Sequence, residues 1–265
     1  MNIKTMAAYA AEGTQPDILF WVGCAGSFDE RAKKITQAFC RILDHVHIPF
    51  AVLGKEEACT GDPARRAGNE FLFQMMALQN IQVLNGYQIQ KIVTTCPHCF
   101  NTLKNEYPQL GGTYQVMHHT QFLQQLLDEG TIRLRENGPF KGRRLSYHDS
   151  CYLGRANGIY EAPRNVLKAL DAELAELQHC RSKGLCCGAG GGQMFKEEES
   201  GKTRVNQVRA AEIYASHTDT VVSNCPFCMT MLRDGLGSGE KERHVEVLDL
   251  AELVAESLNL PAGNS

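Results

Sequence analysis

Apolar residues fall along this chain in short, nearly continuous runs that alternate with longer stretches of helical period. Residues 17–23, Asp-Ile-Leu-Phe-Trp-Val-Gly, form the first run and predict a buried strand. Phe28, Ala32, Ile35, Phe39, Ile42 and Val46 then recur at helical spacing up to Pro49. Residues 49–53 predict a second strand. A helix is expected from about Pro63, a favourable first-turn residue, to Asn85-Gly86, a favourable stop. Residues 91–95 predict a strand, followed by a short helix to Tyr107. Residues 114–117 predict another strand, and a helix capped by Thr120 runs through Leu127. Residues 128–141 are charged and contain Gly130 and Pro139, as a linker does. The same order then returns. Strands are expected at 144–147, 173–177, 220–223 and 245–248. Helices are expected at about 162–170, 196–215, after Pro226, and at 249–258 with Asp249 as cap. This alternation predicts an α/β fold with mainly parallel sheets. The expected partition is an N-terminal arm that frays (1–16), a first unit (17–130), a linker (131–142) and a second unit (143–265).

Composition narrows the classes. The chain has 265 residues and 43% of them are apolar, enough for one large or two ordinary domains. Net charge is −3 with no long block of either sign, which argues against a nucleic-acid partner. The pairs Arg65-Arg66 and Arg143-Arg144 read as solvated faces or carboxylate partners. No stretch approaches the roughly 20 apolar residues that cross a bilayer. The N-terminus has no long apolar run of the signal-peptide kind. A cytoplasmic location is expected, with peripheral docking on the inner face of the membrane through a partner subunit.

The eleven cysteines change the picture. Without a signal peptide they point to metal or redox chemistry rather than a disulfide framework. Their spacing repeats: 35 residues separate Cys24 from Cys59, and 35 separate Cys151 from Cys186. A further 37 lead to Cys96 and 39 to Cys225, and both units end in Cys-Pro-x-Cys. Cys24, Cys96, Cys151 and Cys225 each follow a strand, where parallel sheets place their sites. The stretch Gly184-Leu-Cys-Cys-Gly-Ala-Gly-Gly-Gly192 holds five glycines in nine residues. It brings main chain close to a ligand, aims backbone N–H groups at an anion and presents two sulfurs. Proline after the first cysteine of each pair opens a helix, whose N-terminus favours thiolate. A thioredoxin-like dithiol leaves Cys24, Cys59, Cys151, Cys186 and Cys187 without a role. Structural zinc suits Cys24, Cys59, Cys96 and Cys99, but five cysteines in the second unit are one too many for a closed tetrahedral site. Iron–sulfur ligation accommodates both units. Cys40 falls inside a helix and is expected in the core. Cys180 fits neither motif.

The pattern Cys151, Cys186-Cys187-Gly188, Cys225-Pro-Phe-Cys228 resembles the cysteine-rich CCG domain of heterodisulfide reductases. That family includes subunits of glycerol-3-phosphate, lactate and thiol-linked succinate oxidoreductases. Other stretches are similar to the C-terminal half of membrane iron–sulfur proteins that pass electrons from electron-transfer flavoprotein to quinone. They are Cys59-Thr-Gly-Asp-Pro-Ala-Arg-Arg-Ala-Gly-Asn-Glu70, Cys96-Pro-His-Cys-Phe-Asn-Thr-Leu-Lys-Asn-Glu-Tyr107, His118-His-Thr-Gln121 and Tyr147-His-Asp-Ser-Cys-Tyr-Leu-Gly154. The resemblance covers nearly the whole chain beyond the arm. It implies two pseudo-symmetric CCG repeats, each a small, mainly parallel sheet with flanking helices. It also implies that Cys151, Cys186, Cys187, Cys225 and Cys228 hold a non-cubane [4Fe-4S] cluster with bridging thiolates. Thr60 stands where the first repeat would carry its second loop cysteine, so Cys24, Cys59, Cys96 and Cys99 are expected to hold an ordinary [4Fe-4S] cluster or zinc.

The implied function is iron–sulfur electron transfer from a flavoprotein towards a membrane quinone system. A disulfide reductase role is the enzyme alternative, and a zinc-stabilised interaction module the non-enzyme one. The expected partners are a flavoprotein donor and a ferredoxin-like membrane iron–sulfur subunit. The second is expected because the membrane span and ferredoxin-like domain of the long relatives are absent from this sequence. His148 and Asp149, beside Cys151, are candidates for proton transfer or hydrogen bonding to cluster sulfur, and His98 is the next.

Overall fold

The computed structural model describes residues 3–135, 137–197, 200–237 and 244–260. The first repeat runs α1 (Met6–Ala11), β1 (Ile18–Trp21), α2 (Gly23–Phe28), α3 (Glu30–His45), β2 (Phe50–Ala51), α4 (Asp62–Arg66), α5 (Glu70–Gly86), β3 (Lys91–Thr94), α6 (Pro97–Asn101), β4 (Gln115–His118) and α7 (His119–Asp128). The second runs β5 (Arg144–His148), α8 (Glu161–Ala169), β6 (Glu173–Ala175), α9 (Val205–Ala215), β7 (Thr220–Ser223), α10 (Pro226–Gly237), β8 (Glu246–Leu248) and α11 (Leu250–Ser257). Each repeat builds a four-stranded sheet, in the orders β2-β1-β3-β4 and β6-β5-β7-β8. Every named pairing is parallel, with Phe20 opposite Val93 and Tyr147 opposite Val222. β1 and β7 are buried at every position. Helices on both faces demand apolar side chains on both, so these strands read as continuous runs rather than alternating ones.

The two repeats share one core. α3 turns Ala32, Ile35, Phe39, Cys40, Ile42 and Leu43 inward, and Asp29 caps it by accepting from the Ala32 N–H at 2.7 Å. Cys40 is fully buried there, as its place in the helix implied. α11 packs on α3 and α7 on α8, so Phe39, Leu123, Leu167 and Val254 belong to one apolar cluster. Arg31 of α3 joins Glu252 of α11 at 2.6 Å. His119, at the start of α7, bonds Asp249, the cap of α11, at 2.9 Å with both side chains wholly buried.

Several expected elements need correction. The arm expected to fray holds α1, capped by Thr5 and pinned by fully buried Met6. The helix expected from Pro63 breaks at Gly68, where φ is +86°, and restarts under an Asn69 cap as α5. His118, not Thr120, caps α7. The helix expected from Lys196 begins only at Val205. The polar residues before Val205 offer no apolar face to bury, and short helices without one are not stable. Residues 198–199 of that expected helix lie outside the described residues.

His118 carries a pH prediction. Burial holds its pKa well below the ordinary imidazole value. Below about pH 6.5 the unfolded chain takes up a proton that native His118 does not. A base with a depressed folded pKa contributes stability that is present above pH 6.5 and lost as pH falls. The slope from this one group is about 1.4 kcal/mol per pH unit. His118→Asn keeps a capping oxygen and should flatten the dependence between pH 6.5 and 5, read by urea denaturation at successive pH values. An unchanged slope would place the acid sensitivity elsewhere.

Candidate metal centres

The first set of cysteines sits at the carboxyl end of its sheet. β1 leads through Val22 to Gly23, whose φ is +76° and whose added Cβ would lie 3.3 Å from the Cys99 sulfur. Glycine therefore lets α2, with Cys24, start close under that sulfur. Cys59 and Thr60 lie in the loop before α4. Cys96 precedes α6, which Pro97 opens. Cys24 hydrogen-bonds Cys59, and Cys96 hydrogen-bonds Cys99. The Cys24 thiol holds Cys59 down to about 7, while its own pKa rises. Thr60 points its hydroxyl at the Cys99 sulfur, 3.9 Å away.

The second set repeats this arrangement with one more sulfur. Cys187, the counterpart of Thr60, lies 3.2 Å from the sulfur of Cys228, the counterpart of Cys99. Hydrogen bonds join Cys151 to Cys186, Cys186 to Cys187, and Cys225 to Cys228. All five sulfurs thus form one connected chain. The Gly188 N–H donates to the Cys186 sulfur at 3.3 Å, and Ser150 donates to Cys228 at 3.6 Å. Gly188 has φ +96°, and a Cβ there would meet Met231 at 3.2 Å. The Cys151 and Cys187 thiols hold Cys186 well below the usual thiol range. Burial pushes Cys225 up, but hydrogen bonds from Cys228 and His98 bring it to about 5. Cys187, Cys225 and Cys228 are buried, whereas Cys151 and Cys186 are half-buried.

His148 has a ring nitrogen within 4.8 Å of the Cys187 and Cys228 sulfurs. Its Nδ1 accepts from Arg209 Nε at 3.1 Å, and Glu212 and the His179 carbonyl fix Arg209. The ring hydrogen therefore sits on Nε2. Burial first, and Arg209 second, lower the pKa of His148 to about 3, so the ring stays neutral. Asp149 is committed to an ion pair. Arg164 donates to both its oxygens at 2.8 and 2.9 Å, and the Arg181 N–H donates at 2.7 Å. Arg164, only 1% exposed, also holds Glu176 at 2.6 Å. The geometry thus gives Asp149 the work of tying the loop before Cys186 to the end of β5.

His98 leaves its own repeat. Its Nδ1 meets Asp62 at 2.8 Å, and the side chain hydrogen-bonds Cys225 of the second repeat. Arg65 and Arg66 are paired inside the chain, with Glu106, Glu70 and Asp62. A π-helical turn, Thr102–Glu106, brings Glu106 to them. Cys180 lies half-buried before a short 3-10 turn, and no motif cysteine is among its neighbours that shift its pKa.

Sequence reasoning missed Glu57, Arg164 and Arg209. Glu57 accepts the Val22 and Gly23 N–H groups at 3.1 and 2.5 Å, and burial raises its pKa to about 7. Its position two residues before Cys59 was the available signal.

The donor sets suit sulfur-rich clusters. The side chains brought together are mainly thiols, which soft iron–sulfur centres prefer as ligands. Trp21 Nε1 and Arg209 Nη2 are buried N–H donors with no protein partner. Trp21 precedes Cys24 by three residues, as His148 precedes Cys151. Such donors match an anionic cluster, whose sulfides accept hydrogen bonds. By count alone the first set also fits zinc. Among the described residues, no helix is long and apolar enough to cross a membrane.

Comparison with known proteins agrees with this geometry. The model of the CCG cysteine-rich domain matches twice, over residues 18–104 and 145–233. An EtfAB:quinone oxidoreductase of Syntrophomonas wolfei is 43% identical over 253 residues, 93% of this chain and 35% of the relative. A probable iron-sulfur-binding oxidoreductase, FadF of Bacillus subtilis, is 44% identical over 97% of this chain and 36% of its own length. One component of the dihydromethanophenazine:CoB–CoM heterodisulfide reductase of Methanosarcina barkeri is 32% identical over 92% of this chain and 59% of its own. The chain thus spans about a third of the first two relatives. A hypothetical protein from Helicobacter pylori shares the fold, with a TM-score of 0.61 at 7% identity, over 94% of this chain and 50% of that one.

Proposed function

The chain belongs to the CCG cysteine-rich domain family, and from that premise we propose that it is an iron–sulfur electron-transfer subunit passing electrons from a flavoprotein towards a membrane quinone system. The connected chain of five sulfurs in the second repeat carries this reading. Cys151, Cys186, Cys187, Cys225 and Cys228 are the proposed ligands of a non-cubane [4Fe-4S] cluster. Cys24, Cys59, Cys96 and Cys99 are proposed to hold a second [4Fe-4S] cluster or zinc. The proposed division is two repeats, 17–130 and 143–265, joined by residues 131–142.

A bound cluster supplies one-electron chemistry. The chain's own residues prepare the site. Cys59, Cys186 and Cys225 have lowered thiol pKa values, which favours the thiolate form that binds metal. Gly188 N–H and Ser150 donate to the sulfurs, and neutral His148 stands within 4.8 Å of two of them. Burial of Cys187, Cys225 and Cys228 keeps water from that side.

An EtfAB:quinone oxidoreductase and a probable membrane-anchored ferredoxin among the relatives support the proposed partners, a flavoprotein donor, a quinone end and a ferredoxin-bearing membrane protein; docking through the last on the inner face of the membrane is part of the same proposal. Disulfide reduction is the second reading. The half-buried pair Cys151 and Cys186 leaves one side of the site open, and a heterodisulfide reductase component is among the relatives.

Anaerobic purification tests the proposal. Metal and acid-labile sulfide analysis should give about four irons in the second repeat. An oxidised or thiol-treated sample should show a paramagnetic signal unlike that of a simple cubane. Protein carrying only zinc and no sulfide would contradict it. Reduced flavoprotein plus the membrane partner should restore quinone reduction that the isolated chain performs poorly.

A further inference from the structure

The two Cys-Pro-x-Cys turns meet at the boundary between the repeats. His98, between Cys96 and Cys99, stacks on Tyr152 at 4.2 Å and 30°, and Tyr152 directly follows Cys151. Phe227, its counterpart between Cys225 and Cys228, packs edge-on against it at 5.2 Å and 81°. One ring nitrogen of His98 meets Asp62 and the side chain bonds the Cys225 sulfur. Arg66 holds the far side of Asp62 at 3.1 Å. Phe227 has no polar hydrogen, so the bond between the turns runs one way only.

We propose that His98 is the link through which the first repeat sets the reduction potential of the second-repeat centre, by donating a hydrogen bond to the Cys225 sulfur from a ring anchored on Asp62. The inference rests on the iron–sulfur reading above. A carboxylate and a thiolate both only accept, so the ring between them carries hydrogen on both nitrogens. A hydrogen bond to a ligand sulfur withdraws electron density and raises the cluster potential. Neither repeat alone contains this contact.

Three variants test the link. His98→Phe reproduces the Phe227 side and keeps an aromatic ring between Tyr152 and Phe227. His98→Gln keeps a donor. Asp62→Asn keeps the ring and weakens its anchor. Iron and zinc per chain, circular dichroism and a potentiometric titration followed by electron paramagnetic resonance are measured for each. His98→Phe should retain its iron and lower the midpoint potential of the second-repeat centre. The expected size is about a tenfold change in the reduction equilibrium, about 59 mV for one electron. His98→Gln should recover most of that shift, and Asp62→Asn should move the potential the same way by less. An unmoved potential in His98→Phe, with iron retained, overturns the inference. So does loss of second-repeat iron from both His98 variants with the fold intact, because His98 would then be holding the site together. Wild-type protein without second-repeat iron removes the underlying reading, and this inference with it.

Discussion

Cys187→Ser is expected to abolish the paramagnetic signal of the second repeat and its redox activity, while leaving metal in the first. Cys187 is the middle sulfur of the five, bonded to Cys186 on one side and 3.2 Å from Cys228 on the other. It is 2% exposed, so no outside group takes its place. Serine keeps the shape but is a poor ligand for a soft iron–sulfur centre. The first repeat already contains the comparison. Thr60 places a hydroxyl opposite Cys99 where Cys187 places a sulfur opposite Cys228. Cys59→Ser should behave differently. It should strip the first-repeat metal and mainly lower the melting temperature, because a metal held across Cys24, Cys59 and Cys96 cross-links distant segments. Thr60→Cys should add no cluster, since the glycine run at 188–192 has no equivalent in its loop. Iron and zinc per chain, the spectrum and the melting temperature are compared for the three variants. If Cys59→Ser erases the unusual signal and Cys187→Ser spares it, the redox centre belongs to the other repeat.

The second large effect concerns stability. Arg164→Met should cost about 3–5 kcal/mol, since it leaves a buried carboxylate without its partner. For a chain of this length that is a fall of about 10 °C in melting temperature. Arg164 is 1% exposed and bonds Asp149 through two nitrogens, Glu176, and the Tyr160 carbonyl. Asp149 in turn accepts the Arg181 N–H, five residues before Cys186. Losing this clamp should also lower second-repeat iron more than first-repeat metal. Adding Asp149→Asn should recover part of the stability, because it removes the stranded charge. A single variant as stable as wild type, or a double variant worse than the sum of both, would show that the pair is not the clamp described.

Much of the candidate site was legible because four of its nine candidate cysteines follow strands. An apolar run, a turn and a cysteine put Cys24, Cys96, Cys151 and Cys225 at strand carboxyl ends, and the 35-residue interval marked the duplication. His148 was legible as a neighbour of Cys151. What it does was not, because its donor hydrogen is set by Arg209, 61 residues away. Asp149 was legible as a candidate for proton transfer or for hydrogen bonding to cluster sulfur, but its bonds to Arg164 and the Arg181 N–H, 15 and 32 residues away, were not. The late start of α9 was missed because an expected period was extended through polar residues with no face to bury.

The sequence by itself determined the two parallel sheets, the thiol-rich loops and the difference between Thr60 and Cys187. Those follow from local rules: continuous apolar runs, glycine and proline turns, and fixed intervals along the chain. Only the tertiary structure decided which groups meet across the repeats. His98 reaches Cys225, and His119 reaches Asp249 across 130 residues. No periodicity encodes these contacts. They arise because α3 and α7 bury their apolar faces against α8 and α11, and that packing brings the two Cys-Pro-x-Cys turns together.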